Sequence, residues 1–312
     1  MSRFWTTTVS DLTPYVPGEQ PASQSLLKLN TNEHALPPSE AVMTAIRACQ
    51  AEQLRRYPDP AAQGLREAIA QTESLTTDQV FVGNGSDEVL AHVWFSLLAD
   101  RPVQTLDTTY GFYPVWAQLY HSTLTEVPVR ADFSVDVDAL MASEHAVVLA
   151  NPNAPTGLAL TRQEIERLLA GNPNRLHIID EAYYGFGADT VAPLINQYDN
   201  LIVSRSLSKS HALAGLRVGY ALAHQDLIEG LNRVKDSFNS YPFDAVAQAA
   251  AKVAICDASW QAQSVAVVTE SRSKMTEGLE TLGFEVLPSS ANFIFIQHRA
   301  LSGRTVFDGL RQ

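Results

Sequence analysis

Lys209 ends the segment Ser206-Leu207-Ser208-Lys209, which follows an apolar run and precedes the small-residue stretch Ala212-Leu213-Ala214-Gly215. A lysine in that setting lies near or inside the protein. Burial, together with the cation of Arg217 eight residues on, lowers its pKa and makes the amine a nucleophile toward a carbonyl. A snorkelling surface lysine is the plain alternative. Asp180 closes another apolar run, Leu176-His177-Ile178-Ile179, and a carboxylate there needs a cationic partner. A protonated pyridine nitrogen is one candidate; a helix cap or salt-bridge partner is another. Gly83-Asn84-Gly85-Ser86-Asp87 opens a helix whose free N–H groups and dipole favour an anion, although an ordinary capped helix start would look the same. A dinucleotide loop is excluded, because Glu88 stands where GxGxxG needs its last glycine. Ser206, Ser208 and Arg217 add two hydroxyls and a guanidinium, and with the Gly83–Asp87 loop they describe a seat for one dianionic phosphate.

Other chemistries fit less well. Ser206-Leu207-Ser208-Lys209 also matches the S-x-x-K of serine acyl-enzymes, but their S-D-N and K-T-G companions are absent. The histidines at 34, 92, 121, 145, 177, 211, 224 and 298 have no metal-ligand spacing, so no metal is expected. Cys49 and Cys256 form neither a CxxC nor a disulfide framework, which fits a reducing compartment.

Positioning these residues requires a sheet. Short apolar runs at 79–82, 103–106, 146–150, 176–179, 201–204 and 218–221 alternate with helical patterns, the signature of a mostly parallel sheet covered by helices. Five of these runs lead directly into polar, glycine or aromatic segments, which the strand ends of an open parallel sheet gather at one edge, where ligands bind. Residues 1–36 read as an extended arm, followed by a helix capped near Ser39 and another over 61–72. The large domain is expected over 37–245 and a smaller α+β domain over 246–312, with the first helices after residue 37 assigned to either the large domain or the small one. In the latter a helix over 260–282 places Val265, Val268, Met275, Leu279 and Leu282 on one face until Gly283 ends it, two strands follow at 284–287 and 292–297, and a last helix starts at 302.

The 312 residues are 46% hydrophobic, enough for about two domains. A net charge of -12 and the lack of basic runs disfavour nucleic-acid and anionic-membrane partners. There is no signal-peptide pattern and no stretch approaching ~18 uninterrupted apolar residues, so a cytoplasmic location is expected.

The ordered set of motifs resembles the fold-type I aminotransferases that use pyridoxal phosphate, and within them the histidinol-phosphate aminotransferases. It comprises Leu12-Thr13-Pro14-Tyr15, Leu29-Asn30-Thr31-Asn32-Glu33, Arg56-Tyr57-Pro58, Gly83-Asn84-Gly85-Ser86-Asp87-Glu88, Thr109-Tyr110-Gly111-Phe112-Tyr113-Pro114, the Asn151–Gly157 segment, Asp180-Glu181-Ala182-Tyr183, and Ser206-Leu207-Ser208-Lys209 with Arg217. The resemblance implies that Lys209 carries pyridoxal 5'-phosphate covalently and later shuttles the proton between the substrate Cα and the cofactor. It implies that Asp180 keeps the pyridine nitrogen protonated, that Tyr183 donates to the phenolate, and that Tyr110 stacks on the ring. Ser86, Asp87, Ser206, Ser208 and Arg217 would surround the phosphate, the first two through backbone N–H groups. Tyr57 would reach it from the neighbouring subunit of a homodimer, while Tyr15 and Asn30 would close over the substrate.

Two departures stand out. Many relatives have an asparagine directly before Pro-Thr-Gly; here that position is Ala154, and Asn153 is the nearest amide for the phenolate. The chain is also expected to stop before a later strand whose arginine binds the substrate's anionic group, leaving the small domain incomplete. The function implied is amino transfer between glutamate and a phosphate ester, histidinol phosphate in histidine biosynthesis. An aromatic aminotransferase, a phospho-amino-acid decarboxylase and a catalytically impaired cofactor-binding fragment are the alternatives.

Overall fold

A computed structural model describes residues 2–20 and 27–311; residues 1 and 21–26 of the expected arm, and Gln312 of the last expected helix, lie outside the described residues. Seven strands form one sheet: β1 (Val80–Gly83), β2 (Pro102–Leu106), β3 (Thr123–Val127), β4 (Ala146–Ala150), β5 (His177–Asp180), β6 (Leu201–Ser206) and β7 (Gly219–Ala223). Their order is β1-β7-β6-β5-β4-β2-β3. β2 to β6 pair in parallel, and β7 runs against both β1 and β6, so β1 points the same way as the parallel block. The carboxyl ends of β1, β2, β4, β5 and β6 therefore share one edge with the amino end of β7.

Near-continuous apolar runs make these strands parallel and central, because both faces must be covered. Side chains alternate between two cores. Val147, Leu149, Ile179, Leu201 and Val203 join one that includes Val42, Leu65, Ile69 and Ala250. Val148, Ile178 and Ile202 join another with Val89, Trp94, Tyr113, Trp116 and Leu231. The first is closed by helices Glu40–Arg47, Gln63–Glu73 and Ala245–Cys256, the second by Gly85–Val93, Tyr113–Leu119 and Gln225–Phe238. By this alternation Asp180 faces the same side as Ile178, toward Tyr113. The edge strand β3 had no apolar run to announce it, since most of its residues stay exposed or half-exposed.

Ser39 caps the first of these helices by accepting from the Val42 N–H, as its position predicts. The arm is not wholly extended: Thr6 caps a short helix, Thr7–Asp11. Downstream, helix Ala258–Thr281 ends at Gly283, whose φ of +85° is left-handed. Strands β8 (Phe284–Val286) and β9 (Ile296–His298) pair antiparallel, and helix Gly303–Leu310 follows. The expected apolar face of the long helix is corrected. Met275 and Leu282 are exposed, and the covered stripe instead runs through Ser264, Val265, Val268, Arg272 and Leu279. Arg272 lies in that stripe because it donates to the Phe186 and Ala291 carbonyls, a polar use of a position that hydrophobic periodicity alone skips.

At the shared edge, β7 begins against the loop after β1. A Cβ on Gly219 would lie 2.3 Å from the Gly85 carbonyl carbon and 2.4 Å from the Ser86 nitrogen. Those are backbone atoms that cannot swing aside. Gly219→Ala is expected to cost roughly 1–3 kcal/mol in thermal or urea unfolding, whereas Gly278→Ala, with nothing within 4 Å of its Cβ in the last turn of helix Ala258–Thr281, should be neutral or stabilising. Equal midpoints for the two variants would show that the Gly219–Gly85 contact is not tight in solution.

Candidate active site

A cavity of about 950 Å³ opens at the carboxyl edge of the sheet. Tyr15, Asn30, Ser86, Asp87, Tyr110, Asp180, Tyr183, Ser206, Ser208, Lys209 and Arg217 all line it. Lys209 follows directly from β6, in the short helix Leu207–Ser210 that Ser206 caps through the Ser208 N–H. Its amine donates to the Thr31 carbonyl of the arm. Burial holds its pKa below the usual lysine value; Glu33 opposes that shift and Arg217 adds to it. Burial, more than the neighbouring cation, is thus what favours a neutral amine.

Asp180 is 3% exposed at the end of β5, flanked across the ladder by the small residues Ala150 and Ser204. Burial pushes its carboxyl up to about 7, against the pull of the Tyr113 hydroxyl, which donates to Oδ2 at 3.0 Å. The nearby Ala182 N–H adds a weaker pull without reaching hydrogen-bond geometry. Oδ1 is buried and accepts no hydrogen bond among the described residues. A buried carboxylate oxygen without a donor is costly unless a ligand supplies one.

The anion seat forms where Gly85, at φ +84°, starts helix Gly85–Val93. Arg217, itself at φ +51°, lies over Gly85 so closely that a Cβ there would meet its guanidinium at 2.5 Å. The guanidinium reaches Ser208 Oγ at 3.4 Å and Asp87 Oδ2 at 3.3 Å. The Asp87 carboxylate also accepts from the Tyr110 hydroxyl at 3.2 Å. Tyr110 packs edge-on to Tyr113, with centroids 5.5 Å apart, which leaves its ring as a wall of the cavity.

Two residues singled out from sequence fall elsewhere. Asn153 does not line the cavity: its side-chain oxygen accepts from the Thr109 hydroxyl and its amide donates to the Thr108 carbonyl and Thr156 Oγ1, while Ala154 lines the wall. Its amide is consumed in holding two loops together. Tyr57 is exposed and stacks on Tyr241 at 4.5 Å, away from the cavity of its own chain. Two residues were missed. Asn32, left-handed at φ +52°, donates its amide to the Tyr183 hydroxyl at 3.0 Å, where Asn30 instead donates to the Glu19 carbonyl. An asparagine two residues from Asn30 was visible in the motif, but its backbone twist was not. Tyr113 shares a motif with Tyr110, and no local signal marks its hydroxyl's partner, Asp180, 67 residues away.

The residues fit a group with an acidic phosphate, an aromatic ring bearing a cationic nitrogen, and a carbonyl carbon open to an amine. The orphaned oxygen of Asp180 is the observation that tests this most sharply.

The sequence profile of the family "Aminotransferase class I and II" matches residues 24–306. The histidinol-phosphate aminotransferase of Gluconacetobacter diazotrophicus is 54% identical over 96% of this chain and 84% of its own length. Histidinol-phosphate aminotransferase 1 of Bradyrhizobium diazoefficiens is 53% identical over 100% of this chain and 89% of its own. Among solved structures, the histidinol-phosphate aminotransferase of Sinorhizobium meliloti in complex with pyridoxal-5'-phosphate superposes with a TM-score of 0.84, covering 95% of this chain and 83% of that one at 24% identity. The fold is that of the fold-type I aminotransferases. No described helix is long and apolar enough to cross a membrane.

Asp180 also carries a pH signature in the ligand-free protein. Its folded-state pKa lies above the unfolded value near 3.8, so the folded chain holds this proton more tightly than the unfolded chain does. The associated stability is present below about pH 4 and lost as pH rises through about 7. Asp180→Asn, which mimics the protonated form, should therefore unfold several degrees higher than wild type at pH 8 and by a much smaller margin at pH 4. A gap that stays constant across that window would contradict the burial of this carboxyl.

Proposed function

The chain belongs to the class I and II aminotransferases, and from that premise we propose that it moves an amino group reversibly between histidinol phosphate and 2-oxoglutarate with pyridoxal phosphate as cofactor, in the cytoplasm and in histidine biosynthesis. The observation that carries this reading is the meeting, in one cavity, of a burial-weakened amine, a carboxylate with a free buried oxygen and a helix N-terminus backed by an arginine. Identity above 50% to relatives named for this reaction selects the substrate.

When bound, pyridoxal phosphate supplies an aldehyde carbon and a pyridinium ring that withdraws the electron pair released at the substrate Cα. Lys209, neutral more readily than a surface lysine, would hold the group through that carbon with loss of water, and its free amine would be the base placed to carry a proton from the substrate Cα. Asp180 Oδ1, buried without a partner among the described residues, would accept a charge-assisted hydrogen bond from the ring nitrogen. The Gly85–Asp87 N–H groups, Ser206, Ser208 and Arg217 would hold the phosphate. Tyr183, which accepts from Asn32, keeps its own proton free to donate into the cavity. Tyr110, which lines the cavity, would stack against the ring's face. Tyr15 and the Asn30–Glu33 stretch of the arm exclude water from the mouth. In this reading Tyr57, exposed on its own chain, belongs to the site of a second copy in a homodimer, which accounts for an uncovered Tyr57–Tyr241 platform.

Spectral titration of the cofactor-loaded protein with histidinol phosphate tests the proposal. Amino transfer should convert the cofactor to its amine form, and 2-oxoglutarate should convert it back; no conversion with histidinol phosphate, together with release of carbon dioxide from a phospho-amino acid, would make the protein a decarboxylase. Borohydride reduction and peptide mapping should place the cofactor on Lys209, and Lys209→Ala should abolish the adduct and lower turnover at least a thousand-fold. An adduct on Lys28, Lys235, Lys252 or Lys274 would overturn the site.

A further inference from the structure

Tyr113 is fully buried at the start of helix Tyr113–Leu119, and among the described residues the one hydrogen bond of its side chain is the hydroxyl-to-carboxylate bond to Asp180. Phenols placed in a core normally spend the hydroxyl on a carbonyl, and donating it to a carboxylate that is itself 3% exposed is a dearer arrangement that phenylalanine would avoid. The ring is held between Trp94, stacked with centroids 6.0 Å apart, and Tyr110, edge-on at 5.5 Å. Pro114 at the start of helix Tyr113–Leu119 fixes the backbone that carries it. The phenol therefore has little freedom, and neither has the oxygen it holds.

We propose that Tyr113 is a positioning residue for the reaction, its hydroxyl clamping Oδ2 of Asp180 so that Oδ1 alone is presented to the cavity as the acceptor for a cationic ring N–H. This rests on the cofactor reading above and adds to it a residue that never touches the cofactor. A carboxylate with two free oxygens can rotate about its Cβ–Cγ bond and share its charge between two directions; with one oxygen fixed, the remaining acceptor has a single direction. The clamp has a second effect. Burial and the charges of Asp87 and Glu181 favour the protonated form of Asp180, and the Tyr113 donor is the main influence opposing them; Tyr110 and Tyr183 face the same carboxylate and stay un-ionised, their pKa values raised by burial. Tyr113 thus keeps Asp180 available as an anion at a pH where its surroundings would neutralise it.

Tyr113→Phe removes the donor and keeps the ring. In cofactor-free protein, pH-difference infrared spectroscopy reads the un-ionised carboxyl band of Asp180, identified by its loss in Asp180→Asn. Its midpoint should move upward by about one to two pH units in Tyr113→Phe, the size expected for a lost hydrogen bond to a charged group. Pyridoxal phosphate affinity at pH 8 should fall about ten-fold in Tyr113→Phe, while adding the same change to the Asp180→Asn background should cost nothing further. A midpoint that does not move, or an equal loss of affinity on both backgrounds, would reduce Tyr113 to a packing residue. If Tyr113→Phe does not fold, 3-fluorotyrosine at position 113 keeps the shape with a stronger donor, and the midpoint should move down; no shift there would equally overturn the clamp. Wild-type protein that bound no pyridoxal phosphate would defeat the cofactor reading while leaving the infrared result to stand or fall alone.

Discussion

A carboxylate withdrawn from water must be given donors, a counter-charge or a proton, and the architecture around Asp180 is organised by that demand. The strand that carries it is buried on both faces, so Asp180 cannot reach solvent without leaving the sheet. Its ladder neighbours Ala150 and Ser204 are small, which leaves space at the strand end and supplies no charge. The phenol of Tyr113 satisfies one oxygen and the fold leaves the other bare. Sheet edge, aromatic wall and anion seat surround that bare oxygen.

The next residue along the strand makes the contrast. Glu181 points to the opposite side, and both of its oxygens are filled: Arg205 Nε at 2.9 Å and Thr190 Oγ1 at 2.8 Å on one, the Val191 N–H at 2.7 Å on the other. Arg205 in turn reaches Glu73 at 2.6 Å and lies over the Tyr184 ring. Two adjacent buried acids thus meet opposite fates. The saturated one ties β5, β6, helix Gln63–Glu73 and the loop before Val191 into a rigid floor; removing one member would strand a buried charge. The unsaturated one sits at the end of the strand that this floor holds in place.

Sequence carried much of this. The run Leu176–Ile179 ending in Asp180, the Ser206–Lys209 segment and the glycine-rich helix start each fixed a local geometry, and the sheet brought them to one edge because parallel strands share an orientation. What local pattern could not carry was the direction of individual side chains in loops. Asn153 and Asn32 are both amides near the same wall, and only the fold shows that the first is consumed by Thr108 and Thr109 while the second reaches Tyr183. Tyr113 is the same case: nothing beside it in the chain marks it, and the carboxylate that its hydroxyl meets lies on strand β5. Met275 and Leu282 failed for the opposite reason, since periodicity assigns a face without knowing how much of the helix has a partner.

The arm shows how the site depends on segments far apart in the chain. Thr31 offers its carbonyl to Lys209, 178 residues away, and Asn32 gives its amide to Tyr183, 151 residues away. The carbonyl of Asn32 then accepts from Asn292, 260 residues away, in the stretch between β8 and β9. One turn of backbone, held in a left-handed conformation that asparagine tolerates better than most residues, joins the reactive amine, the phenol and the C-terminal hairpin. Such contacts close long loops and form only when the sheet edge already exists. The lysine's amine is therefore covered by a strap that has no place to dock until the large sheet and the C-terminal segment are both folded, and the water-poor surroundings that lower its pKa are a property of the assembled chain rather than of the helix on which it sits.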